Sequence, residues 1–332
     1  LQVFMKILLE NVNLTSTSGP NHFALKLVKE LIKKDIIINP EETPDAKLCF
    51  IESRQNKKEE VPLIQRLDGI YFNKAQNYKA QNYNIQKTYD ISDGVIFQSN
   101  FNKALTERYF GKHNNNTVIH NGADTQMIDG VKPLTHSKID KFENVWSCAS
   151  SWRPHKRIDD NIRYFLEHSG KNDCLIVAGQ KSLSRWSEFV ETSLSKKENI
   201  FYVGNVSVDK LISIYKRSKY FLHLAWLDHC PNVVVDARAS GCQIICTSAG
   251  GTKEIAGDDA IIVEEQEWDY SPVELYNPPK LDFSNKIFKN PYNKTYNIDI
   301  SNVANKYLDF ISWNAKNSHS NTDKDKQSKT SR

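Results

Sequence analysis

Two acidic residues in the second half of the chain have the type and spacing to grip an elongated, charged ligand. Asp228 and Asp236 lie eight positions apart in the run Asp228-His-Cys-Pro-Asn-Val-Val-Val-Asp236-Ala-Arg-Ala-Ser-Gly241. Pro231 at the front and Gly241 behind read as the start and stop of a helix over residues 232–240. The first turn of such a helix leaves backbone N–H groups without carbonyl partners, and its dipole favours an anion there. His229, Asn232 and Val233 surround that start, so the segment predicts an anion site with the Asp228 carboxylate at its rim, as a sugar diphosphate requires. Asp236, about a turn inside the helix, can address a different part of the same ligand. Taken alone, the pair has a plainer account as one loop acid and one acid near a helix start.

A second group is basic. Arg153-Pro-His-Lys156-Arg157 follows an apolar strand and opens a helix. Cations at a helix start are unfavourable against the dipole, so Arg153 and Lys156 ask for an anion such as a diphosphate. In the first half, Gln65-Arg66-Leu67-Asp68-Gly69 also follows a strand and ends in a turn. Arg66 and Asp68 there either present functional groups or close an internal salt bridge.

Residues 228–254 resemble the signature of retaining glycosyltransferases of the GT-B fold, family 4 type (glycosyl transferases group 1). The resemblance implies that Asp228 meets the donor sugar and Asp236 the nucleotide ribose, with Asp at both places where the family usually has Glu. It implies that Lys156 holds the donor diphosphate, with Arg153 substituting for the base whose usual place is taken by Ser151. Further matches place Asn205 and Val206 beside the nucleotide base and, loosely, Gly19 of the 17–21 loop near sugar and acceptor. Asn121-Gly-Ala-Asp124 resembles the turn ending the family's first domain, and Arg66-Leu-Asp68-Gly69 a subgroup in which Arg66 or Asp68 faces the cleft between domains. The implied catalytic set is thus Asp228, Arg153, Lys156 and Asp68. The implied donor contacts are Asp236, Asn232, Val233 and His229, then Asn205, Val206, Gly19 and Arg66.

These residues need elements to position them. Short β-rich apolar runs alternate with helical stretches, the pattern of parallel sheets covered by helices. Strands are predicted at residues 5–9, 36–38, 47–51, 62–66, 94–98 and 117–120, and again at 144–149, 174–178, 200–203, 220–224, 243–247 and 260–263. The expected class is therefore α/β. With the resemblance it becomes GT-B architecture, two Rossmann-like parallel-sheet domains facing each other across a cleft. The first domain is expected over residues 5–130, with a C-terminal helix at 299–314 packing back on it, and the nucleotide-sugar domain over 143–290. Residues 129–143, polar with Gly130 and Pro133, serve as the expected linker. A tandem repeat, Lys-Ala-Gln-Asn-Tyr at 74–78 and again at 79–83, fits neither helix nor strand period and reads as a surface loop.

Composition narrows the rest. A chain of 332 residues has the length for two cores, and 39% hydrophobic with 25% charged residues are globular values. The formal charge of +4 comes mostly from residues 316–332, where five basic and two acidic residues leave a surplus of three. Nucleic acid is therefore not an expected partner. That tail carries no apolar pattern and is expected to be disordered. The six scattered cysteines lack metal-ligand spacing and read as buried reduced thiols. With no membrane-length apolar run and no signal segment, and with Met5 as the natural start, the expected location is cytoplasmic. Lys26, Lys29, Lys33 and Lys34 on the first helix are compatible with peripheral membrane contact, though a solvated face explains them more simply.

The function implied is transfer of a sugar from a nucleotide-sugar donor, a UDP-sugar favoured, to a hydroxyl of a glycan, lipid or protein acceptor. Retention of configuration and no metal or other cofactor are expected. A catalytically silent nucleotide-sugar-binding protein, or an epimerase or phosphorylase of the same fold, is the alternative. A nicotinamide dehydrogenase is disfavoured because the 13 glycines include no GxGxxG.

Overall fold

The computed structural model describes residues 4–16, 19–181, 186–284, 287–289 and 297–329. They divide into two compact units. The first contains the chain through Tyr71, Asn77–Gly122 and the residues from Asn297 onward, and the second contains Phe72–Gln76 and Ala123–Tyr296.

The first unit is built on six strands, β1 (Lys6–Glu10), β2 (Ile37–Ile38), β3 (Ala46–Phe50), β4 (Leu63–Leu67), β5 (Gly94–Phe97) and β6 (Asn116–Val118). All pair in parallel, in the order β2-β1-β3-β4-β5-β6. Near-continuous apolar strands such as β5, buried at every position, are what a sheet covered on both faces demands. Helices α1 (Gly19–Lys33), α2 (Tyr78–Ile91) and α3 (Asn100–Phe110) come from within this stretch. Its core also takes Ile300, Val303, Ala304, Tyr307 and Ile311 from the last helix of the chain, whose apolar stripe recurs every three or four residues.

Helices α4 (Thr125–Gly130), α5 (Ile158–His168), α6 (Glu188–Lys196), α7 (Val208–Arg217) and α8 (Asn232–Ala239) belong to the second unit, and the last helix, α9, spans Ile300–Lys329. The second sheet comprises β7 (Asn144–Ala149), β8 (Asp173–Ala178), β9 (Ile200–Gly204), β10 (Tyr220–His223), β11 (Gln243–Thr247), β12 (Ile261–Val263) and β13 (Ile287–Lys289). Its order is β13-β12-β11-β10-β7-β8-β9, with β13 alone antiparallel. The period of two along β10 divides its side chains between two clusters: Phe221 joins one on the α7 and α8 side, while Leu222 joins another with residues of α5.

Three expectations change. The second copy of the tandem repeat lies inside α2 rather than in a loop, because Asn77 caps the helix by accepting from Ala80 N at 3.2 Å. Residues 129–143 are not a free linker, since Leu134 and Ile139 are buried with Val145, Cys174 and Ile176, and the units divide in sequence after Gly122. Helix α9 continues past Lys316 to Lys329, a stretch that holds neither Gly nor Pro to stop it. Among the lysines of α1, Lys29 and Lys33 are exposed, Lys33 pairing with Glu30 at 2.5 Å, while Lys26 is buried and Lys34 donates to Ser301.

None of the six cysteines is in a disulfide, and all are buried. No helix among the described residues is long and apolar enough to cross a membrane.

Candidate functional site

The strand order of the second sheet creates the site. From β7 the chain steps outward through β8 to β9, then returns to the other side of β7 as β10 and continues outward through β11 and β12. The loops leaving the carboxyl ends of β7 and β10 therefore diverge, and a crevice opens between them, which is where open parallel sheets bind ligands. The β7 loop supplies Arg153 and the single helical turn Pro154–Lys156, and the β10 loop supplies Asp228 and His229 before α8 starts.

Asp228 is held from several directions. Its Oδ2 accepts from Lys156 Nζ at 2.5 Å and from His223 Nε2 at 2.8 Å, and its Oδ1 accepts from the His229 backbone N–H at 3.0 Å. Its main chain pairs with Gly250, and its carbonyl accepts from Gly251 N at 2.7 Å. Gly250 has φ +91°, and a Cβ there would stand 2.6 Å from the Asp228 carbonyl oxygen, so only glycine lets these loops meet. The β10 loop is also tied at Trp226, whose N–H donates to the His155 carbonyl at 2.7 Å. Rigid anchoring of this kind is what a binding carboxylate needs.

The electrostatics follow from burial and pairing. Burial acts to raise the Asp228 carboxyl, but Lys156 and His223 outweigh it and hold it well below the ordinary carboxylate range. His223 moves down because burial disfavours its charge and Asp228 only partly offsets this. Burial takes His155 down to about 3 and His229 to about 4, so both rings are neutral at pH 7. His155 Nδ1 has no hydrogen-bond partner among the described residues.

Several expected residues are thus brought together: Lys156, Asp228, His229 and, through Pro231, the first residues of α8, Asn232 and Val233, both half-buried. Asp236 is the fifth residue of α8 and buried; burial pushes the Tyr215 phenol well up, and the Asp236 charge adds to it. Arg153 is exposed on the β7 loop, whereas its neighbour Arg157 turns inward. Arg157 pairs with Glu265 at 2.7 Å and donates to the Pro279 carbonyl, so the second base of the Lys-Arg pair is structural. Asn205 and Val206 follow β9, two strands from β7 and so on the order of 10 Å away across the sheet. Asn205 is exposed and Val206 packs on the α7 and α8 side.

The first-unit candidates stand apart from this cluster in sequence and in role. Gly19 is the first residue of α1, and Thr17 and Ser18 of its loop lie outside the described residues. Arg66 is completely buried. Its Nε donates to Tyr307 at 2.9 Å, one terminal nitrogen donates to Asn121 at 2.7 Å, the other pairs with Asp68, and the Phe23 ring lies 4.2 Å from the guanidinium. The outward-facing alternative therefore fails for Arg66: its donors are consumed inside the unit, and the internal salt bridge is what the turn contains. Asp68 is its partner, with one oxygen, Oδ2, that meets no hydrogen-bond donor among the described residues.

His223 is the member of the cluster that sequence reasoning missed. Its signal was a polar residue closing an otherwise apolar strand, five positions before Asp228. Among the described residues no group of three or more His, Cys, Asp or Glu side chains is placed to hold a metal ion.

The model of the family Glycosyl transferases group 1 matches residues 135–270, the part of the chain that carries this cluster. No curated protein matches the chain. Among solved structures, sucrose-phosphate synthase from Thermosynechococcus elongatus aligns over 95% of this chain and 93% of its own, with a TM-score of 0.62 and 12% identity. HepE from Anabaena, crystallised with UDP and glucose, aligns over 82% and 88%, with a TM-score of 0.58 and 15% identity. A glycosyltransferase from Rickettsia africae aligns over 95% and 99%, with a TM-score of 0.56 and 16% identity. At these identities the likeness is one of fold, the two-domain α/β fold of GT-B glycosyltransferases.

Proposed function

We propose that the chain is a glycosyltransferase that moves a sugar from a nucleotide-sugar donor, a UDP-sugar favoured, to an acceptor hydroxyl. The observation that carries this reading is the Lys156–Asp228 pair at the strand-order reversal of the second sheet, beside the start of α8. An ammonium and a helix N-terminus suit a diphosphate, and a fixed carboxylate beside them suits the hydroxyls of a sugar. The family match to residues 135–270 supports the class, and the UDP and glucose held by the Anabaena protein favour a UDP-sugar donor.

Transfer needs the sugar–phosphate bond to weaken while charge grows on the departing diphosphate. Lys156, Arg153 and the first N–H groups of α8 meet that charge, so the reaction runs without a divalent cation. Asp228 orients the sugar, and Asp236 takes the ribose. Retention of anomeric configuration follows the resemblance, with a departing phosphate oxygen taking the acceptor's proton.

In the resting protein Lys156 is engaged by Asp228, so a diphosphate must draw it away. Lys156→Ala is expected to weaken UDP by about tenfold or more, the loss of a charge-assisted hydrogen bond. Asp228→Asn is expected to leave UDP unweakened or tightened, since it frees the ammonium, while abolishing turnover of UDP-sugar. Calorimetric titration, with turnover measured in the presence of EDTA, checks both. UDP that binds Lys156→Ala as tightly as the wild type sinks the diphosphate assignment.

A further inference from the structure

Asp228 must stay ionised and immobile at the moment its strongest partner leaves. Its Oδ2 carries two donors in the resting protein, Lys156 Nζ at 2.5 Å and His223 Nε2 at 2.8 Å. If a donor diphosphate recruits Lys156, as proposed above, the ammonium turns toward phosphate and Oδ2 keeps a single side-chain donor. That donor is His223. We infer that His223 is the positioning residue of the donor-sugar site: it fixes the Asp228 carboxylate while Lys156 serves the diphosphate.

The fold supports this role. His223 is the last residue of β10 and stands in register with Cys246 of β11, so the sheet holds its backbone. Its ring is 4% exposed and lies nearly parallel to that of Phe221, two residues earlier on the same face. A buried polar ring in an apolar cluster costs free energy unless its nitrogens are used, and the use found here is Asp228. The loop from β10 bends back at Leu227, with φ +55°, and this turn delivers the carboxylate to a ring only five residues upstream. A neutral imidazole suits the task, because it donates one N–H without adding a charge that would compete with Lys156 for the phosphate.

The inference rests on the donor reading, and the experiment separates the two. Full-length wild type, His223→Ala and His223→Gln are titrated calorimetrically with UDP and UDP-glucose, and with GDP and GDP-mannose. Glutamine returns an N–H donor close to the position of the imidazole Nε2. In His223→Ala the affinity for the plain diphosphate is expected to stay within about twofold, while the sugar nucleotide weakens by about tenfold. His223→Gln is expected to recover most of that loss. A purely structural role would weaken both ligands alike and would not be rescued by glutamine, and either result overturns the inference while leaving the donor reading intact. Sugar-nucleotide affinity unchanged in His223→Ala also overturns it. A wild type that binds none of the four ligands overturns the donor reading and this inference with it.

Discussion

At the scale of residues, the cluster around Asp228 couples histidine protonation to stability. His155 and His229 titrate near 3 and 4 in the folded protein, against about 6.5 in an unfolded chain. The unfolded state therefore binds more protons between these values, and stability must rise with pH across that window. Their contribution is complete above pH 6.5 and is lost as pH falls toward 4 and below. The melting temperature is expected to drop by several degrees between pH 7 and pH 4.5, and His229→Phe, which removes one titrating group, should flatten that slope. A wild-type melting temperature constant across the window would count against buried neutral rings. The same residues show what the sequence made legible. Lys156 stood out because a base at a helix start is locally unfavourable without an anion, and Asp228 because it lies just ahead of the free N–H groups of another helix start. Arg66 resisted reading because its partners Tyr307 and Asn121 lie 241 and 55 positions away.

At the scale of elements, the alternation of apolar runs located all twelve parallel strands to within a residue or two, since most of them are short apolar runs bounded by polar turns. Helix α2 and strand β13 were not legible. The repeat's period of five disguised the buried set Asn82, Ile85, Thr88 and Tyr89, and β13 sits in a Pro- and Asn-rich stretch where its antiparallel pairing with β12 is a tertiary fact. How closely these elements fit is testable at Gly179, after β8. Its φ is +106°, and a Cβ there would lie 1.8 Å from the Ser150 carbonyl oxygen of the β7 loop. Gly179→Ala is expected to cost at least about 2 kcal/mol and to weaken UDP binding by displacing that loop. Gly130→Ala, where nothing lies within 4 Å, should be neutral or slightly stabilising in chemical denaturation. Equal midpoints for the two variants would contradict the close approach.

At the scale of the whole molecule, the chain's last helix completes the first unit. Ile300, Val303, Tyr307 and Ile311 are buried there, at about 1.5–3 kcal/mol each, and their sum is comparable to the entire stability of a domain. A chain ending at Ala315 retains all of them and is expected to melt within about a degree or two of the full-length protein. One ending at Asp299 loses them, leaves Arg66 Nε buried without Tyr307, and should show the first unit unfolded by hydrogen exchange. Protection of β3 and β4 in that shorter chain would refute the dependence.

The same helix sets an order of events during synthesis. The first sheet is finished at Val118, yet Ile311 emerges about 190 residues later. At roughly 5–20 residues per second this is a delay on the order of 10–40 s. Throughout it the first unit holds an open apolar face and a guanidinium that still lacks Tyr307. The second unit, translated in the interval, has its whole sheet in hand before the first can close, so the part of the chain made first is the part that finishes folding last.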